Sequence, residues 1–228
     1  MLSTGKPVAF CKRLCKYKLI IFDCDGVLVD SEPLSNRIFT DKINSLGLNL
    51  SYEESEKLFT GRSDKDCLQI VSSKLGNPVP SEFMNDFNNE ILIAIETQLV
   101  AVQGIEKVLK SLCDIPTMVC VGSNAPVDKV KKSLKVTNIL SYFDDNIFTV
   151  GNVKHGKPCP DLYLYAAQKM GIHPEQCAVV EDSVYGVRAG IAAGMTVYGY
   201  CERSSKESIK KEGAIVFDCM KELISLLS

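Results

Sequence analysis

Two carboxylates one residue apart, Asp23 and Asp25, close the apolar run Leu19-Ile20-Ile21-Phe22, and Gly26 follows at once. Acids at the end of a buried strand are costly unless they hold a cation or do chemistry. Ligands of open α/β sheets gather outside the carboxyl ends of the strands. The arrangement therefore marks a site built from hard oxygen donors. Three other segments carry matching groups. Residues 117–121 read as a strand that runs into Gly122-Ser123-Asn124. Lys157 lies between Gly156 and Pro158, in a turn before a helical pattern. Residues 178–180 read as a strand ending in Glu181-Asp182-Ser183. A hydroxyl, a lysine and a second acid pair thus come from loops, as ligand-binding groups in α/β folds do.

The elements that must position these groups follow from periodicity. Core strands are expected at 18–22, 117–121, 146–149, 178–180 and 196–200, with a weak one near 214–217. Helical patterns at 105–112, 126–134, 161–170, 183–193 and 220–227 separate them. Alternating strands and helices imply an α/β fold with a parallel sheet. Between the first two strands the alternation stops. Residues 33–98 read as helices near 34–46, 52–58, 64–75 and 81–99. The last carries Phe83, Phe87, Ile91 and Ile95 four apart, an apolar stripe of helical period. Gly76-Asn77-Pro78-Val79-Pro80 breaks the helix before it. The expected organisation is an extension at 1–18, a core from 19–32 and 99–228, and a helical insert at 33–98. Hinges are expected near 30–33 and 99–104. Gly186, Gly190 and Gly194 recur every four residues and suggest close packing of one helix on the sheet.

Composition excludes some classes. The chain has 228 residues, 46% hydrophobic and 24% charged, which is ordinary for a soluble globular protein. A net charge of −2 gives no basic field to recruit nucleic acid, so no nucleic-acid partner is expected. No apolar run approaches the roughly 18 residues that span a bilayer, so no membrane partner is expected. Ten cysteines at irregular spacing read as reduced thiols, which implies a cytoplasmic protein. Cys11 and Cys15 lack a second Cys or His pair for a zinc site. Residues 1–18 hold five basic residues and no acid; a solvated extension and a transit peptide both remain open.

In chain order, Asp23-Cys24-Asp25-Gly26, Ser123, Lys157 and Glu181-Asp182 resemble the motifs of the haloacid dehalogenase superfamily of phosphotransferases. The resemblance covers about residues 19–200. Asp-Gly-Val-Leu-Val-Asp-Ser-Glu and Gly-Lys-Pro-x-Pro-Asp look like its phosphoglycolate phosphatase and β-phosphoglucomutase branch. The resemblance implies a Rossmann-like core with an inserted α-helical cap. It implies Asp23 as nucleophile forming an aspartyl-phosphate, Asp25 as general acid and base, and Ser123 and Lys157 as phosphoryl-oxygen ligands. It also implies Mg2+ on the Asp23 carboxylate, the Asp25 carbonyl and Asp182, with Glu181 direct or through water. Oxygen ligands suit Mg2+ better than Zn2+, and the chain has only two histidines, His155 and His173. His155 lies near Lys157 in sequence, and a site residue or a surface turn residue are both open.

Each feature alone has a plainer reading. An EF-hand loop would need glycine sixth and Glu twelfth, whereas Gly26 is fourth and Leu34 twelfth. Lys157 read singly is a solvated lysine, Ser123 a strand-end serine, and Glu181-Asp182 helix-start acids complementing the dipole. Specificity is expected from the cap. Arg62 and Lys65 in Gly61-Arg62-Ser63-Asp64-Lys65 are either binders of an anionic tail or exposed helix-start charges. Glu32, after the first hinge, and Asn124, after Ser123, are further candidates for substrate contact. The expected partner is a small phosphorylated metabolite, bound by a monomer or homodimer. Within the branch the chain looks most like bacterial sugar-phosphate phosphatases, so a sugar-acid phosphate such as 6-phosphogluconate is the first expected substrate. β-Phosphoglucomutases carry a histidine five residues after the acid equivalent to Asp30. Here that residue is Ser35, which favours hydrolysis over a mutase. A non-catalytic binding protein on this scaffold would be expected to lose a motif residue, and none is lost.

Overall fold

A computed structural model describes residues 15–60, 62 and 64–228. Cys11, Gly61, Ser63 and most of the basic extension lie outside the described residues. Six strands form one parallel sheet: β1 (Leu19–Phe22), β2 (Met118–Ser123), β3 (Ile147–Thr149), β4 (Cys177–Glu181), β5 (Thr196–Tyr200) and β6 (Ile215–Phe217). Their order is β3-β2-β1-β4-β5-β6. Strand order reverses at β1, so the crevice at its carboxyl end is the ligand position of a doubly wound sheet. All four residues of β1 are buried, because both faces of the strand are covered. Ile20 and Phe22 join one core cluster. Leu19 and Ile21 join the cluster on the opposite face.

Helices α1 (Glu32–Ser45), α2 (Tyr52–Phe59), α3 (Asp64–Leu75) and α4 (Phe83–Gln98) intervene between β1 and β2, before α5 (Ile105–Cys113). They have an apolar cluster of their own around Phe39, Ile43, Phe59, Val71 and Phe83. The Phe39 ring meets Phe59, Phe83 and Phe87 edge-on, at centroid distances of 5.0, 5.7 and 5.6 Å. The stripe along α4 is divided. Phe83 packs among these rings, while Ile91 and Ile95 pack with the core cluster of β1. The two chain passages to this insert are bonded to each other, Asp30 N to Val100 O at 2.9 Å and Val102 N to Leu28 O at 3.1 Å.

The remaining helices are α6 (Val127–Val136), α7 (Asp161–Lys169), α8 (Val184–Ala192), α9 (Lys206–Lys211) and α10 (Met220–Leu226). Helix α9 has no counterpart in the sequence reading. It is one polar turn and a half, with Ile209 as its buried residue and Ser205 as its cap. Strand β2 extends to Ser123, two residues beyond expectation. It packs closely there: a Cβ on Gly122 would lie 3.0 Å from the Tyr163 ring. No helix among the described residues is long and apolar enough to cross a membrane.

Candidate active site

Asp23 follows β1 directly, and its N–H continues the ladder to Val180 O at 2.9 Å. That bond fixes the backbone beneath the carboxylate. Its Oδ1 lies 2.6 Å from Lys157 Nζ, which also lies 2.5 Å from Glu181 Oε1. The Lys157 side chain is only 5% exposed. Its turn is tied down by Asn124, whose Oδ1 accepts from Lys157 N at 3.0 Å and whose Nδ2 donates to Lys157 O at 3.2 Å. Asn124 thus braces the lysine through its backbone.

Glu181 ends β4 and is fully buried. Lys157 and Tyr163 OH, the latter at 2.8 Å, donate to its Oε1. Asp182 N, Ser183 N and Ser183 Oγ donate to its Oε2 at 3.0, 3.0 and 2.9 Å. Five donors occupy a carboxylate with about four lone-pair positions. Its geometry is therefore that of an anchor for Lys157. Burial alone would raise the Glu181 pKa, but Lys157 and these hydrogen bonds bring it below its ordinary value. Burial alone would lower the Lys157 pKa, and the Asp23 and Glu181 carboxylates outweigh it and raise it well above normal.

Carboxylate oxygens of Asp23, Glu181 and Asp182, one from each, lie within 4.8 Å of one another, those of Glu181 being already taken by its five donors. Three acids around one lysine leave excess negative charge in a buried place. The excess shows in the pKa values. Burial, against the pull of Lys157, pushes Asp23 up to about 7. Burial and the Glu181, Asp23 and Glu32 charges raise Asp182 well above the usual carboxylate range. Gly26, at φ 80°, makes room for the cluster, since a Cβ there would fall 2.0 Å from Asp182 Oδ2. An all-oxygen donor set with uncompensated charge fits a hard divalent cation such as Mg2+.

The Asp25 side chain is not part of that cluster. Its Oδ1 accepts from Ser31 Oγ at 2.6 Å, and its Oδ2 lies 3.1 Å from Lys129 Nζ on α6. Ser123, 1% exposed at the end of β2, accepts from Ala125 N at 3.1 Å. His155 pairs with Asp161 at 3.1 Å at the surface, and has no contact with Asp23 or Lys157 among the described bonds.

A cavity of about 600 Å³ opens beside Asp182, bordered by Glu32 at the start of α1, Arg62 between α2 and α3, and Arg203 and Ser204 between β5 and α9. A crevice of about 190 Å³ continues from Glu32, Thr60 and Arg62 into the insert, towards Phe39 and Phe87. Lys65 borders a separate groove with Leu68 and Pro80. The sequence candidates thus divide into a core set beside Asp23, two residues at the cavity mouth, and Lys65 apart from both. Sequence reading missed Lys129, Tyr163 and Arg203. Arg203 binds Asp30 through two nitrogens, at 3.2 and 3.0 Å. Single polar residues on helices and loops have no local signature. The one available hint was a lysine in the first turn of α6, where the helix dipole disfavours it.

Comparison with known proteins decides the family. The model of the haloacid dehalogenase-like hydrolases matches residues 17–194. The chain belongs to that family. It is 31% identical to the 6-phosphogluconate phosphatase of Escherichia coli (strain K12), over 93% of this chain and 96% of the relative. Among solved structures it is similar to a haloacid dehalogenase-like protein of unknown function from Agrobacterium tumefaciens str. C58. The TM-score is 0.83 and the identity 29%, covering 92% of this chain and 97% of that one. A family hydrolase from Deinococcus radiodurans R1, solved with phosphate and sodium, gives a TM-score of 0.81 at 30% identity, over 94% and 99%. As a haloacid dehalogenase-like hydrolase whose relatives include the 6-phosphogluconate phosphatase and other phosphatases, the chain is a phosphatase-type enzyme.

Proposed function

We propose that the protein hydrolyses phosphate monoesters of small sugars through a phosphoaspartyl intermediate on Asp23. The contact that carries this reading is the Asp23 carboxylate against the buried Lys157 ammonium, beside Asp182. An Asp23 carboxylate oxygen forms a bond to phosphorus as the ester P–O bond breaks. Asp25 gives its proton to the departing alkoxide. Water then attacks the acyl phosphate and loses its proton to Asp25, which releases inorganic phosphate and restores both acids. Lys157, and Ser123 with the backbone after it, hold phosphoryl oxygens throughout. Asp23, Asp182 and the Asp25 carbonyl would hold a Mg2+ ion, which when bound neutralises phosphoryl charge. Glu181 keeps Lys157 in line, and Asn124 keeps its turn in place.

The first substrate proposed is 6-phosphogluconate. Arg62 at the cavity mouth offers a cation for its carboxylate, and the relative of that name aligns along nearly its whole length. Glu32 would accept from substrate hydroxyls. Ser35, in place of a mutase histidine, favours hydrolysis. A cytoplasmic location suits a phosphorylated metabolite and buried free thiols. The test is phosphate release from a panel of sugar phosphates with Mg2+, beside Asp23→Asn. The variant is expected to fold and to lose turnover. Turnover of Asp23→Asn within tenfold of wild type would sink the covalent route.

A further inference from the structure

Lys129 is an unexplained charge next to the reacting groups. It sits in the first turn of α6, where the partial positive charge of the helix end disfavours a lysine. Its ammonium reaches 3.1 and 3.3 Å from the two oxygens of Asp25. Ser31, in the passage to the insert, donates to the same carboxylate from another element at 2.6 Å. The pair is partly shielded, with side-chain exposures of 25% for Lys129 and 31% for Asp25. Asp25 is therefore gripped between the core helix and the hinge passage. It is held away from the Asp23, Glu181 and Asp182 cluster, which has its own lysine. Helix α6 is itself fixed to the insert one turn further on, where Lys132 meets Glu96 of α4 at 2.6 Å.

We infer that Lys129 is a positioning residue that holds the Asp25 carboxyl group at the leaving-group oxygen. The inference rests on the reading of Asp25 as general acid and base. Proton transfer needs the acid within hydrogen-bond reach of the departing oxygen, and a carboxyl group free to rotate spends little time there. Lysine acts here by location, so arginine, which also binds a carboxylate, retains the function in large part.

Leaving groups separate this role from a structural one. An alkyl phosphate such as a sugar phosphate needs a proton on its departing alkoxide. The phenolate of p-nitrophenyl phosphate leaves without one, but the phosphoenzyme it forms still needs Asp25 as base. Lys129→Met should lower kcat for a sugar phosphate by about tenfold or more, with KM within about threefold. With p-nitrophenyl phosphate the first-turnover burst should keep its rate while the later steady state slows. Lys129→Arg should restore most of the loss. Equal slowing of burst and sugar-phosphate turnover, or no slowing of either, overturns the inference. Asp25→Asn serves as the reference: if it leaves sugar-phosphate turnover intact, the acid–base reading itself fails. If it cripples turnover while Lys129→Met does not, only the role of Lys129 fails.

Discussion

In the proposed mechanism Asp23 carries two demands that conflict in water-poor surroundings: it would attack as the ionised carboxylate, and it is buried. Burial, against the pull of Lys157, raises its pKa from an ordinary 3.8 to about 7. The sign of the resulting stability effect follows from linkage. Between these values the folded state keeps a proton that the unfolded state has released. Stability from this group therefore falls as pH rises, and is lowest once pH passes the folded value. Asp182, also raised, acts in the same direction. A cation that binds the ionised cluster removes the penalty, and its own binding releases those protons. The gain in melting temperature from Mg2+ over an EDTA baseline should therefore grow from about pH 5 to about pH 8. Melts across that range check it, and a gain independent of pH would mean that the ion binds elsewhere. Phosphoryl transfer as proposed draws on the same balance, because the lysine that lowers the Asp23 pKa is also the one proposed to hold the phosphoryl oxygens.

Elements deliver these residues through close approach, and glycines permit it for different reasons at different places. Gly186 lies in the first turn of α8, where a Cβ would fall 1.7 Å from Glu181 Oε1. Gly190 meets Val197 at 2.6 Å by the same measure, so α8 lies directly on β5. Gly194 meets nothing within 4 Å and is glycine because its φ is 75°. Gly186→Ala should cost about 1–3 kcal/mol by overpacking, and should lower kcat as well, since Glu181 would shift off Lys157. Gly194→Ala should cost roughly 1–2 kcal/mol through left-handed strain and leave kcat unchanged. Denaturant melts with turnover assays separate the two, and matched effects on kcat would unlink Gly186 from the site. The four-residue spacing was legible in the sequence, but its two causes were not. The end of β1 was legible because a buried apolar run stopping at Asp23 leaves few alternatives, whereas β2 and β4 run on past their apolar stretches, two residues to Ser123 and one to Glu181. The division of the α4 stripe between two clusters was hidden, since period reports a face and not its neighbour. The grip of Lys129 on Asp25, over 104 residues of chain, is a product of the sheet order alone.

At the scale of the whole molecule, the question is which cations meet the part of the substrate that extends beyond the phosphoryl group. Net charge is uninformative here, because −2 is a sum over a surface far larger than the cavity. Position decides instead. The sequence treats Arg62 and Lys65 alike, three residues apart at the start of α3, whereas the fold separates them. Arg62 borders the cavity that reaches Asp182, and its Nε donates to Leu58 O at 2.7 Å. Lys65 borders a different groove. Arg203, the other cation at the mouth, is engaged by Asp30. An exposed ion pair is worth little, but one made by a bound carboxylate between insert and core is shielded, and hydrogen bonds to charged groups there are worth about 1.5–3 kcal/mol. Arg62→Ala should therefore raise KM for 6-phosphogluconate by roughly tenfold or more, while p-nitrophenyl phosphate, with no second anion, keeps its KM within about twofold. Lys65→Ala should change neither. If Arg62→Ala affects both esters equally, the arginine serves the insert's structure and not recognition. If Lys65→Ala matches the selective loss, the insert must approach the core differently during turnover, bringing the second groove to the substrate.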